Sequence, residues 1–309
     1  MSGLRRFPLP LIAAFFALYV IWGSTYLVIR IGVEYWPPLL LAGIRFVIAG
    51  TLMYAFLRWR GAPAPTWAQW KAAGVIGVLL LACGNGAVSV AEHTGVASGV
   101  AALAVATVPL FTLLCGYFWG ARNTRLEWAG IVLGLIGIAM LNLGSNLQSS
   151  PLGAALLVFA AATWAFGSVW SKHLPLPQGA MASAVEMLVG GVVLLIASAV
   201  SGEHLEKVPP IEGWAALAYL TVFGSIIAFN AYMYLLKHVR PAAATSYAYV
   251  NPAVAVLLGI VFVGETIGIE EALAMAVIIS AVVLIGLPQW RRAPVKPVVT
   301  VVPTESRVN

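Results

Sequence analysis

LPLIAAFFALYVIWGSTYLVI, residues 9–29, runs for 21 positions without a charged side chain. A helix needs about 20 mostly apolar residues to cross the hydrocarbon of a bilayer, and inside it every backbone N–H and C=O must be satisfied within the segment. This run meets both demands. Similar runs follow near 38–57, 71–90, 96–118, 126–143, 151–171, 179–200, 213–235, 241–262 and 270–287. The sequence therefore reads as an all-α membrane protein of ten transmembrane helices. Arg5 and Arg6 ahead of the first run have the look of a signal peptide. The run, however, passes through Trp22 with no Ala-x-Ala site, so it reads as a retained first helix.

Composition agrees. Hydrophobic residues make up 61% of the chain and charged ones 9%, against roughly half and a quarter in soluble domains. The net charge of +6 comes from Lys and Arg scattered between apolar runs, with no basic stripe, which argues against nucleic acid as a partner. Their placement instead sets orientation, because basic residues are retained on the cytoplasmic side. With the N-terminus inside, 14 of the 17 basic residues fall in cytoplasmic connections, Arg30 and Lys207 fall outside, and Arg45 lies within a span. Both termini are expected in the cytoplasm. Residues 1–10 form the entry segment, and residues 288–309, rich in Pro and Val, read as a disordered cytoplasmic tail.

The second half echoes the first at an offset of 141 to 145 residues. Trp22 matches Trp164, Arg30 matches Lys172, Asn85 matches Asn230, His93 matches His238, Pro109 matches Pro252 and Glu127 matches Glu270. Each half has five helices, so the second enters the bilayer from the opposite face and the repeat is inverted, spanning 11–145 and 151–287. Inverted repeats suit alternating access, since two similar halves supply two conformers of similar energy.

The segments IWGSTYLVIRIGVEYWPP (21–38), GNGAVSVAEH (84–93), TVPLF (107–111), WAFGSVW (164–170) and TSYAYVNP (245–252) resemble the EamA-type branch of the drug/metabolite transporter superfamily, bacterial inner-membrane members above all. The resemblance covers nearly the whole chain. It implies a ten-helix inverted repeat in the inner membrane that moves small metabolites, often amino acids or toxic compounds, usually outward.

Candidate site residues follow from polarity at depth. Arg45 and Glu186 are ionisable groups inside spans, which demand partners. The repeat alignment sets Arg45 opposite Glu186 and Glu92 opposite Lys237, so the expected pairs are Arg45 with Glu92 and Glu186 with Lys237. Three roles stand for them: static packing, a gate latch, or proton coupling through Glu186. Asn85 and Asn230 either face a cavity or bridge helices, because an unpaired amide in hydrocarbon is costly. Pro109 and Pro252 break helices 4 and 9, and such breaks often line a substrate site. Tyr247 and Asn251, four apart beside the second break, share a helix face. Trp22 and Trp164 lie too deep for interfacial anchors and suit a pocket wall. Ser24 and Ser168 stand close by and either meet a ligand or bond back to their own helix. Small residues on helix 5 (Gly130, Gly134, Gly137) and helix 10 (Ala272, Ala274, Ala276) provide a close-packing face, within the chain or in a homodimer.

Other classes fit less well. The chain has no Asp, its four His lie near helix ends, and neither paired carboxylates nor metal-ligand spacing appears, so an enzyme is not expected. No Walker loop is present, and no cofactor is expected. A channel would show a filter-like loop or a continuous polar stripe. Cys83 and Cys115 read as buried small hydrophobes.

Overall fold

The structure is a computed structural model and describes residues 9–94, 105, 107–142, 151–251, 254 and 269–291. Its helices coincide with the apolar runs: α1 (Leu9–Tyr35), α2 (Pro38–Trp59), α3 (Trp67–His93), α4 (Val108–Phe118), α5 (Arg125–Asn142), α6 (Pro151–Trp170), α7 (Ala180–Val200) and α8 (Ile211–His238). A ninth, α9, starts with Pro241–Ala244, turns at Thr245 and Ser246, and resumes over 247–251; α10 is Ile269–Arg291. Among the described residues six helices, α1, α2, α3, α6, α7 and α8, are long and apolar enough to cross a membrane. Helix α10 continues to Arg291, past the expected tail boundary at 288, and residues 292–309 lie outside the described residues.

Local chemistry sets the helix starts. Thr66 and Gln69 form a capping box at α3, and Thr124 and Glu127 bond reciprocally at the start of α5. Pro38 and Pro241 occupy first-turn positions, where a missing N–H costs no helical bond. Helix α2 lacks a side-chain cap of its own, and Glu203, just beyond α7, supplies one: its two oxygens accept from the Leu39 and Leu40 amides at 3.2 and 3.0 Å. A carboxylate there also complements the helix dipole.

The packing follows the repeat. Helices at equivalent positions lie against each other, α2 on α7 and α5 on α10, and the α1–α8 contact is mirrored by α6–α3. Both equivalent pairs run antiparallel. Gly43 meets Leu195 and Gly50 meets Leu188, while Gly130 meets Ile285 and Gly137 meets Ile278. Antiparallel pairing of equivalent helices is what an inverted repeat requires. Glycine is needed at these crossings because a Cβ on Gly50 would come within 2.8 Å of the Leu188 backbone nitrogen, and one on Gly130 within 2.9 Å of the Ala281 carbonyl. The small face of α5 is therefore spent on α10 of the same chain. Any dimer through these helices would have to use their outer side, where Val132, Ile136, Ile279 and Val283 are exposed.

Helices α3 and α8 share a feature that the sequence did not announce. Each contains a π-helical stretch, Val78–Asn85 in one and Leu220–Phe229 in the other, at matching places in the two repeats. Such wide turns recur at functional sites. The chain makes two ends recognisable: a first end, where α1 runs into α2, and a second end, where α2 runs into α3. Trp36 donating to the Gly213 carbonyl at 3.1 Å ties α1 and α8 at the first end.

Candidate functional site

Two stretches of aromatic side chains meet at the centre of the bundle. Trp22 of α1 lies 5.5 Å from Trp164 of α6, 5.2 Å from Tyr232 of α8 and 4.8 Å from Tyr247 of α9, measured between ring centroids. Tyr232 also packs on Trp164 and Tyr247. Hydrogen bonds hold the rings: Trp22 Nε1 donates to the Gly224 carbonyl in the π segment of α8 at 3.1 Å, and Trp164 Nε1 donates to the Tyr232 hydroxyl at 3.0 Å. Ser168 shares a 2.5 Å hydrogen bond with that hydroxyl and donates to the Trp164 carbonyl.

On the first-end side of this floor lies a cavity of about 90 Å³. Its wall includes Trp22, Thr25 and Ile29 of α1, Arg45 and Phe46 of α2, Gly84, Asn85 and Val88 of α3, Val105, Trp164, Phe229, and Tyr247 with Asn251. Tyr232 and Tyr247, two rings of the floor in the second repeat, align in sequence with Ala87 and Ala104 of the first, so the two repeats supply unequal bulk at equivalent positions. Asn85, at the end of its π segment, accepts from Arg45 Nη2 through Oδ1 at 2.7 Å. Arg45 is buried, its guanidinium carbon lies 4.3 Å from the Phe46 ring centroid, and its Nε has no partner. Asn251 is buried, and neither its Oδ1 nor its Nδ2 has a hydrogen-bond partner.

The structure thus gathers Trp22, Asn85, Trp164, Tyr247, Asn251 and Arg45 around one space. Other expected residues stand elsewhere. Ser24 donates to the Ile21 carbonyl and shares a 2.7 Å bond with Tyr219 of α8, and Ser168 donates to the Trp164 carbonyl of its own helix behind the floor. Asn230 donates to the Ile226 carbonyl at 2.6 Å and faces the Met53 sulfur at 3.1 Å. Pro109 sits in the first turn of α4, just after a turn at Thr107, and residues 95–104 and 106 ahead of it lie outside the described residues. In α9 the described break falls at Thr245 and Ser246; Pro252 lies outside the described residues. Cys83 and Cys115 are free and half-exposed, not buried.

The expected ion pairs are not formed. Arg45 and Glu92 are electrostatic neighbours without direct contact, because Asn85 is nearer and takes the guanidinium. Glu186 is fully buried with both carboxyl oxygens unpartnered, while Lys237 is exposed at the end of α8 and does not reach it. Among the described residues the direct ion pair is Arg240 Nε to Glu127 Oε1 at 2.8 Å. It lies at the second end, on the far side of the aromatic floor, and joins the start of α9 to the start of α5. Arg240 Nη2 also donates to the Arg122 carbonyl at 2.8 Å, Lys172 Nζ to the Val239 carbonyl at 2.9 Å, and Tyr19 shares a 2.7 Å bond with Ser246. The Arg240–Glu127, Arg240–Arg122 and Tyr19–Ser246 contacts close the second end across the two repeats, and Lys172–Val239 ties it within the second. Sequence reasoning missed the pair because Glu127 read only as a repeat landmark and Arg240 as a topogenic charge.

A duplicated helical bundle with a lined central space, closed by cross-repeat contacts at one end, has the architecture of a membrane carrier. The chain matches the EamA-like transporter family over residues 9–143 and 151–287, and it belongs to that family. It is 57% identical to the uncharacterized inner membrane transporter YedA of Escherichia coli K12 over 94% of this chain and 95% of that one. A probable amino-acid metabolite efflux pump of Salmonella typhimurium LT2 is 27% identical over 88% of this chain and 93% of that one. A chain solved by crystallography shares the fold, with a TM-score of 0.73 at 22% identity over 92% of this chain and 99% of that one. The protein is accordingly a multi-pass inner-membrane protein, and the relatives are transporters, not enzymes.

Proposed function

We propose that the chain is a secondary transporter with ten membrane spans and both termini in the cytoplasm, exporting a small metabolite such as an amino acid or a related or toxic compound by alternating access. The observation that carries this reading is the one-sided cavity: space and unpaired polar groups stand on one side of the Trp22–Trp164–Tyr232–Tyr247 floor, while the other side is tied shut by Arg240–Glu127. With the charge bias placing the second end in the cytoplasm, this conformer faces outward. Exchange to the inward-facing form requires the floor to part and the second end to open, with the second repeat taking the shape of the first. Glu186 and Asn230, the counterparts of Arg45 and Asn85, would then line the new opening.

The name of the Salmonella relative favours an amino-acid metabolite as cargo and efflux as direction. Reconstitution of the purified protein into liposomes tests the reading. A carrier accelerates uptake of labelled solute when unlabelled solute is preloaded and saturates with concentration. A flux that rises linearly without counterflow would mean a channel instead.

A further inference from the structure

We propose that the cavity recognises a carboxylate: Arg45 binds the acidic group of a small monocarboxylic acid, an amino acid included, and Asn251 reads a second hydrogen-bonding group on it. The proposal rests on reading the cavity as the substrate site and adds the chemistry of what enters it.

The argument starts from charge. Arg45 is a cation on the cavity wall, and among the described residues the wall includes no carboxylate. Glu92, farther along α3, sits within electrostatic range of both Arg45 and Arg30 but is outside the wall and makes no direct ion pair. A cationic solute would meet like charge where water screens poorly, whereas an anion supplies the missing partner.

Geometry adds a second line. A buried guanidinium keeps donors unmade only at a cost, and Arg45 Nε is one such donor. Its fork is already oriented: Asn85 Oδ1 takes Nη2 at 2.7 Å and the Phe46 ring lies against the guanidinium. A planar, fixed guanidinium is suited to a carboxylate, which it can meet with parallel N–H···O bonds. Asn85 is therefore a positioning residue. Asn251, from α9, presents an unpaired amide with both a donor and an acceptor. The remaining wall, Trp22, Ile29, Phe46, Val88, Trp164 and Phe229, offers apolar and aromatic surface to the body of the molecule. The volume of about 90 Å³ suits a compact solute.

The test uses the full-length protein in lipid nanodiscs and matched probes built on alanine, valine and leucine: the amino acid, its amide, the decarboxylated amine and the deaminated acid. Binding is read by thermal stabilisation and by titration calorimetry. Members that carry a carboxylate are expected to bind at least tenfold more tightly than the amide and the amine of the same series. Arg45→Gln is expected to erase that preference, Arg45→Lys to keep part of it, and Asn251→Ala to weaken the amino acid more than the deaminated acid. Equal binding of amide and acid by the wild type, or no binding by any probe, would overturn the proposal without needing a variant that folds. Carboxylate-dependent binding without counterflow would leave the subsite standing and remove the transport reading.

Discussion

Arg240→Gln is the perturbation that most directly tests how the second end is held shut. The change removes the 2.8 Å ion pair to Glu127 and the 2.8 Å bond to the Arg122 carbonyl while keeping a polar side chain of similar reach. Glu127 is buried, yet its other oxygen keeps the Thr124 amide and hydroxyl at 2.7 and 3.0 Å, so the carboxylate is not left wholly uncompensated. What is lost is the ion contact, whose Glu127 oxygen completes no hydrogen bond, together with the charge-assisted hydrogen bond to the Arg122 carbonyl, worth about 1.5–3 kcal/mol. At tenfold per about 1.4 kcal/mol, the ratio of open to closed second ends should rise by roughly 10- to 150-fold. Ala244, fully buried behind the latch, supplies the reporter. In a background with Cys83→Ala and Cys115→Ala, Ala244→Cys should react with a membrane-impermeant maleimide in inside-out vesicles faster by that factor once Arg240 is replaced. The charge exchange Arg240→Glu with Glu127→Arg should bring the rate part of the way back. An unchanged labelling rate in the single variant would refute the latch, and equal labelling in right-side-out vesicles would refute the assignment of this end to the cytoplasm. The first repeat carries Gly95 where the second carries Arg240, so the opposite end has no matching cation for such a pair.

Trp164→Ala deletes a floor ring and its bond to Tyr232, and should lower stability by about 3–5 kcal/mol, read as a fall in the midpoint of thermal unfolding in detergent, together with loss of counterflow. Gly134→Val drives new atoms against the Tyr249 ring, which stands 2.8 Å from the site of an added Cβ; a loss of about 1–3 kcal/mol should appear in the same assay, and none would mean that α5 and α9 are not packed as described. Thr124→Ala removes the cap of α5 and should cost about 0.5–2 kcal/mol while also loosening Glu127, so the Ala244→Cys labelling rate should rise modestly. Alkaline phosphatase and green fluorescent protein fused to the C-terminus should report a cytoplasmic end by fluorescence and no phosphatase activity.

Much of the architecture was legible in residue order. Hydrocarbon tolerates only segments that satisfy their own backbone, so apolar length marked each helix, and the described helices coincide with those runs. The offset between halves marked the repeat, which appears as antiparallel contacts of α2 with α7 and α5 with α10. Depth and residue type pointed to Trp22, Trp164, Asn85, Tyr247 and Asn251, and a buried polar or bulky group in a bundle interior has few other places to be.

Pairing was another matter, because which side chains touch depends on where helices far apart in sequence cross. The repeat alignment suggested that Arg45 would seek Glu92, yet Asn85 on the π segment of α3 lies nearer and takes the guanidinium. The same alignment set equal residues in the two halves, but a single conformer of an inverted repeat need not treat them equally: Asn85 faces the cavity, while Asn230 bonds to its own helix. The sequence by itself determined a duplicated, membrane-spanning helical bundle, since solvent preference and periodicity act locally. The tertiary structure alone decided on which side of the aromatic floor the space lies and that Arg240 and Glu127 close the other, because those facts depend on packing between residues more than a hundred positions apart.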